Sequence, residues 1–348
     1  MPSVNVFWPI YKNLEQETLN LSKYVLFDDN QKNVYSFSIA DLIIRSAIEI
    51  EAISKELYYR LGGQREPVGQ DGKKRDLYFD TDCIDLLEQK WKITQKKIMV
   101  ASPTFFYENA DNVQLKPLHK ANKRGSSGSN WKKAYQALKH DRIHSLKMAN
   151  IGNLISAMGA LYILNLYYKD DVFDLDKEGN FDSRVGSDVF SAAYIKETGL
   201  NFSLEMSEKD ISFQKEANRD ESIFLVIYDQ ESFINIHRGY AEDTIESIHK
   251  FCDSTEIKAY LKQHQEKLQK PLNMNAVCLE AGGVDTLRRL LVFRHAGQAV
   301  MDAKHIARLN KNESLYPTLT IDNLSEDKKK ELLVEYVNLE KFRMECSS

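Results

Sequence analysis

The sequence predicts a mainly α protein: a helical bundle with long inserted loops over residues 1–170, a boundary at 171–190, and a mostly helical α+β second domain over 191–348. Three observations carry this reading. Apolar residues recur at helical spacing through most of the first 170 positions; the stretches 62–80 and 99–130 break that spacing; and "KDDVFDLDKEGNFDSRVGSD" turns acidic and acquires glycines. A chain of 348 residues is long enough for two cores.

Taken in order, Phe7, Ile10, Leu14, Leu21, Tyr24 and Val25 share one face of a first helix over 6–27, with Pro9 tolerated near its start. In "SFSIADLIIRSAIEIEAISKELYYRLGG", Ser36 or Ser38 caps a long second helix. Ile39, Leu42, Ile43, Ala47, Ile50, Ile53 and Leu57 line it, and Gly62-Gly63 closes it. Residues 62–80 read as an exposed excursion. Helix resumes at "TDCIDLLEQKWKI" with Thr81 or Asp82 as cap, and the unpatterned run from Met99 to Asn130 is too long for an ordinary connection. From Trp131 to Tyr167 or Tyr168 a fourth helix is expected, capped by Ser129 or Asn130 and bent near Gly152. Beyond the boundary, "FSAAYI" and "ESIFLVIYD" have strand composition. Helix is expected for "QESFINIHRGYAEDTIESIHKFCD", "TEIKAYLKQHQEKL", "GGVDTLRRLLVFRHAGQAVMDAKHIARLN" and "SEDKKKELLVEYVNLEKFRM".

Charge and cysteine usage exclude several classes. With 47 basic and 51 acidic residues the net charge is −4, so attraction to nucleic acid must be local. Cys83, Cys252, Cys278 and Cys346 are too dispersed for a zinc site and read as free thiols of a cytoplasmic protein. Ala149–Tyr168 is twenty residues without a charge, the length of a membrane span. Asn150, Asn153 and Asn165 are costly in hydrocarbon, however, and a buried bundle helix is the expected form. No motif calls for a metal or another cofactor.

The local excess is clear. Between Gln114 and Ala149, Lys116, Lys120, Lys123, Arg124, Lys132, Lys133, Lys139, Arg142 and Lys147 face a single acid, Asp141. Such a run neutralises phosphate, and Trp131, Tyr135, His119, His140 and His144 are interleaved where they can stack on bases. The plainer alternative is a solvated face beside an acidic partner surface. "GSSGS" shares only composition with a phosphate-binding loop and reads as a connector. Asp80, Asp82 and Asp85 read as helix-start residues rather than a cation site.

"YQALKHDR", preceded by Trp131 and followed by an apolar helix, resembles the "YN-x-x-KH-x-R" signature of a divergent part of the HEPN superfamily. "YSFSIADLIIRSAIEIEAISKEL" resembles the earlier long helix of the same proteins, and together the match covers about residues 1–170. The resemblance implies an RNA-directed bundle of the kind found in toxins and antiviral defence, acting as a metal-independent ribonuclease and as a homodimer. His140 would then move the 2′-hydroxyl proton while Arg142 and Lys139 hold the phosphate. Lys120, Lys123, Arg124, Trp131, Lys132, Lys133, Tyr135 and His144 would contact the nucleic acid. The family's arginine position is occupied here by Tyr135, which favours binding over cleavage. A looser form of the motif occurs as Arg289 and His295. The competing reading is a non-catalytic accessory protein that uses the same bundle as a scaffold and its second domain for a protein partner. A ribonuclease would place His140 in a concave basic pocket; a scaffold would bury it against backbone or glutamate.

Overall fold

The uncharged stretch becomes the axis of the first compact unit. In the computed structural model, which describes residues 5–69, 72–197, 218–268, 272–316 and 319–347, α7 (Ile151–Lys169) is buried along almost its whole length. It has no polar face because it is enclosed: α1 (Phe7–Leu21) and α2 (Phe37–Arg60) pack on it. Tyr162 lies between Tyr11 and Phe190, at ring distances of 5.7 and 5.6 Å, and Trp91 stacks on Tyr167 at 4.9 Å. It is long and apolar enough to cross a membrane, but that surface is covered by its own protein. Asn165, buried at its centre, donates to the Leu161 carbonyl at 3.0 Å. Gly159 leaves space for Ile98 and Pro117, since a Cβ there would sit 2.6 Å from Ile98 Cδ1.

The second helix forms as its spacing dictates. Ser36 Oγ accepts from the Ile39 amide at 3.2 Å, and Ile39, Leu42, Ile43, Ala47, Ile50, Ile53 and Leu57 are all buried. At its end the Arg60 guanidinium covers the Tyr168 ring at 3.6 Å and donates to the Tyr168 carbonyl.

The expected fourth helix is in fact two helices with a separate helical turn between them. α5 (Asn130–His140) stops where Asp141 turns to φ −149° and its carboxylate accepts from His144 N, starting the single turn α6 (Arg142–Ser145). Asn150 then caps α7 through Asn153 N. Asp and Asn compete with helix by bonding neighbouring amides, so the breaks fall on them and not at Gly152, which lies inside α7. At "TDCIDLLEQKWKI" the start is a π-helical turn, Phe79–Ile84, leading into α3 (Asp85–Trp91). Asp82 is not a cap there, because it is held by Arg75 through two bonds of 2.6 and 2.7 Å. The unpatterned stretch supplies the short strands β2 (Ile98–Val100), β3 (Phe105–Phe106) and β4 (Gln114–Leu115), with one helical turn, α4 (Ala110–Val113). β3 pairs in parallel with β1 (Phe27–Asp28).

Residues 171–190 do not mark the division. The described residues of Met1–Asp174, Asn180–Ile227 and Ile306–Glu313 form the first unit; those of Leu175–Gly179, Tyr228–His305 and Ser314–Ser348 form the second. The reason is apolar: Val189, Phe190, Ala192, Ile223, Phe224 and Leu309 share a core with α7. β6 (Phe190–Ala192) pairs antiparallel with β2 in the order β4-β2-β6. β7 (Tyr194–Lys196) runs parallel to β8 (Phe224–Tyr228) in a sheet ordered β5-β9-β8-β7, where β5 is Phe173–Leu175 and β9 is His305–Leu309. Of the excursion at 62–80, Gln70 and Asp71 lie outside the described residues.

The second unit is helical: α8 (Gln230–Asp253), α9 (Thr255–Gln263), α10 (Met274–Leu290), α11 (His295–Asp302) and α12 (Glu326–Ser347). Phe251, Ile257, Leu261, Val277, Leu287 and Phe342 are buried together. The expected helix from Gly282 onward is broken: Gly283 takes φ +71°, α10 ends at Leu290, and "HIARL" is strand β9, with Ala307 and Leu309 buried on alternate positions. Asp243, buried in α8, accepts the amides of Arg294, His295 and Ala296 and so fixes the start of α11. The four cysteines are free thiols, with Cys83, Cys278 and Cys346 buried.

One buried cation in the first unit has a measurable consequence. Lys96 is 0% exposed and donates to the Ser222 carbonyl at 2.9 Å; burial lowers its pKa to about 8. An unfolded lysine titrates near 10.4, so between these values the unfolded chain binds more protons and stability rises with pH. Urea midpoints measured at pH 7.5 and 9.5 should therefore increase more in the wild type than in Lys96→Met. Equal pH dependence in both would sink the assignment.

Candidate nucleic-acid interface

Buried partners sort the basic run into two groups. Trp131 is core: its indole N–H donates to the Pro117 carbonyl at 2.8 Å, and the ring is 1% exposed. Tyr135 is also buried. Burial and a hydrogen bond with Glu51 raise the pKa of its phenol, and neither ring is free to stack on a base. Lys132 is drawn inward, its ammonium bonding Asp80 at 3.2 Å, the Ala121 carbonyl at 3.0 Å and the Lys123 carbonyl. Arg124 binds the same Asp80 through Nε at 3.1 Å and lies 3.7 Å over the Tyr78 ring. Of these four residues expected to contact nucleic acid, Trp131, Lys132 and Tyr135 are buried and hold the fold, whereas Arg124 is exposed and engaged by Asp80.

The expected catalytic group lies on the exposed surface. Lys139, His140 and Arg142 are all exposed where α5 ends and α6 begins, and His140 lines neither part of the cleft described below. His140 is thus neither in a basic pocket nor buried, so the geometry matches neither of the two forms expected for it. Lys139 Nζ sits 5.7 Å from the Tyr135 ring, and His144 Nδ1 lies 2.9 Å from Asp141. Arg45, on α2, grips Glu17 through two bonds of 2.7 and 2.8 Å. In the second unit, Arg289 of α10 pairs with Glu256 of α9, while His295 opens α11 with Nδ1 3.1 Å from Glu242, so the looser motif is split between elements. Asp80, Asp82 and Asp85 are each occupied, Asp85 by the Asn122 amide at 2.9 Å.

The remaining lysines do converge. A cleft in the first unit has one part of about 480 Å³ and another of about 330 Å³, and both are lined by Asp111, Leu115, Asn130, Lys133 and Ser156. Lys32 and Lys147 reach the larger part; Lys116, His119 and Lys120 reach the smaller. Lys116 is neutralised by Glu221 at 2.5 Å. Among the described residues, Lys32, Lys120, Lys133 and Lys147 have no carboxylate within ion-pair distance. Their nearest polar neighbours are amide groups, Asn112 for Lys32 at 3.3 Å and Asn130 for Lys133 at 3.5 Å. Asp111 is the single acid in the lining. The N-termini of α5 and α7 both open here, bringing Asn130 from one and Asn150, Gly152 and Asn153 from the other. Helix N-termini and lysines favour an anion.

Sequence reasoning missed Lys32 and the cleft itself. Lys32 lies 84 positions before Lys116, the first cation of the basic run, and reaches the cleft because its carbonyl and that of Val34 accept the Gly152 and Ile151 amides at the start of α7. Lys120, Lys123, Lys133 and His144 were expected at the interface; Lys120 and Lys133 line the cleft, and Lys123 and His144 are exposed outside it. The chain matches no family model, no curated protein and no solved structure.

Proposed function

We propose that the first unit is a HEPN-like bundle that binds RNA through its phosphates, with the cleft between the N-termini of α5 and α7 as the principal contact. The observation that carries this reading is the set of four lysines, Lys32, Lys120, Lys133 and Lys147, that line one cleft with no carboxylate within ion-pair distance among the described residues. Unpaired, half-solvated ammonium groups release counterions when phosphate replaces them, which is the main source of affinity in such complexes. With Trp131 and Tyr135 in the core, the site offers no aromatic platform from these positions, and binding should be largely independent of base sequence. Cleavage finds less support. A general base outside a recess neither excludes water nor holds a 2′-hydroxyl in line with its phosphate.

The test is filter binding of a labelled single-stranded RNA over a salt series, with gel analysis of the same RNA in EDTA. The wild type should show a steep decline of affinity with salt. Lys133→Ala and Lys147→Ala should each flatten the log–log slope by about 0.7, the value for one phosphate contact on a single strand. His140→Ala should bind like the wild type, and the RNA should remain intact. Absence of binding even at low salt would refute the reading; metal-independent cutting that disappears in His140→Ala would establish the ribonuclease in its place.

A further inference from the structure

We infer that the smaller part of the cleft, at the loop "GSSGS" and the start of α5, is a built site for a phosphate monoester, the doubly charged end group of an RNA strand or a mononucleotide. The inference deepens the RNA reading and rests on the same cleft, but it makes a separate claim about which phosphate is preferred.

The loop is shaped before any ligand arrives. Gly125 takes φ +60°, which admits the turn, and Gly128 lies against the Lys132 stem, where a Cβ would come within 3.0 Å of Lys132 Cε and 3.1 Å of the Lys123 carbonyl oxygen. Lys132 then ties the floor together by gathering the Ala121 and Lys123 carbonyls and Asp80. The loop expected as a connector thus packs, at Gly128, against the stem of a buried lysine. Its outer residues, Ser126 and Ser127, line the cleft with Lys120 and Lys133.

A second, independent feature points to a ligand. Ser129 occupies the N-cap position of α5, yet its hydroxyl caps no amide of that helix. The residue is only 9% exposed and lines the same cleft, and its Oγ is buried with no hydrogen-bond partner among the described residues. Buried hydroxyls are normally bonded, and one left unsatisfied at a helix start is a donor in place for an oxyanion. Phosphate oxygens accept from hydroxyl, ammonium and helix amides alike.

Charge selects the monoester. An internal phosphodiester carries one negative charge, whereas a terminal phosphate carries about 1.5 to 2 at neutral pH. A recess with Lys120 and Lys133 unpaired beside a helix N-terminus stabilises the second charge in a way that an open basic surface does not. Asp111 is the one acid that lines this part of the cleft, so the lysines, hydroxyl and helix N-terminus must outweigh it.

The experiment uses the full-length protein and one oligoribonucleotide in 5′-phosphate, 3′-phosphate and hydroxyl-ended forms, followed by fluorescence anisotropy, with AMP and inorganic phosphate as competitors. One or both phosphorylated forms should bind roughly tenfold tighter than the hydroxyl-ended form, the effect of about one charge-assisted hydrogen bond. Ser129→Ala and Lys133→Ala should reduce that ratio to within about threefold, with an unchanged melting temperature in each. Equal affinity for all three forms overturns the monoester site and leaves the RNA reading intact. Binding of AMP or phosphate, lost in the two variants, with no RNA binding keeps the site and removes RNA as its ligand. If none of the probes binds, both readings fail.

Discussion

Replacing Glu15 with alanine is expected to lower the unfolding free energy by about 3 to 5 kcal/mol, a loss of the size caused by removing a buried, multiply bonded carboxylate. Glu15 is 0% exposed. Its Oε1 accepts from the Tyr11 hydroxyl at 2.7 Å, the Ser187 hydroxyl, and the amides of Asp188 and Val189 at 3.1 and 3.3 Å; its Oε2 is held by Lys12. Alanine would leave these donors facing a void. Glutamine keeps one acceptor oxygen and should cost about 1 to 2 kcal/mol, since it loses the charge but not the whole network. The same change should free residues 183–189 from α1, so trypsin should cut after Arg184 faster in Glu15→Ala than in the wild type. Urea unfolding and a timed digest read the two effects separately. Wild-type stability in Glu15→Ala would show that the carboxylate merely sits at this junction without holding it.

That junction also shows why part of the fold was legible and part was not. α2 could be read residue by residue, because helical spacing and the Ser36 cap are local facts, and α8 begins after Asp229, which accepts from Ser232 N, and ends at Asp253, as its composition suggests. Glu15 is an acid on an amphipathic helix, which ordinarily means solvent; its partners Ser187, Asp188 and Val189 are more than 170 positions away, and nothing near it announces them. The acidic run 169–188 looked like a linker for the same reason, since its charges dominate the composition while Phe173, Phe181 and Val185 do the packing. "HIARL" looked helical in continuity with the residues before it, but two glycines and the turn after Leu290 had already ended that register. In the candidate site, the charge excess was visible as a sum. The sum could not distinguish a lysine claimed by a distant aspartate from one that faces water.

Lys132 and Lys133 make that distinction testable, because neighbours in sequence should behave in opposite ways. Lys132→Ala is expected to cost about 2 to 4 kcal/mol by leaving Asp80 and two carbonyls with a missing donor. Burial pushes the Asp80 carboxyl up, but the Thr81 amide, Lys132 and Arg124 together outweigh it and hold the group below its ordinary range. A carboxyl depressed in the folded state contributes stability above its unfolded pKa of about 3.9 and loses it as pH falls through the folded value. Without Lys132 the folded value moves up, so acid unfolding should begin at a higher pH in Lys132→Ala than in the wild type. Asp80→Asn combined with Lys132→Met should recover part of the loss, since an unpaired buried charge is worse than none. Lys133→Ala should leave the urea midpoint and the acid limb unchanged while weakening RNA binding, because among the described residues its ammonium bonds Asn130 alone, at 3.5 Å, and the residue lines the cleft. If instead Lys132→Ala unfolds like the wild type, or Lys133→Ala loses stability together with affinity, the boundary between scaffold and interface does not fall between these two residues, and the cleft would have to be reassigned from the Asp80 side.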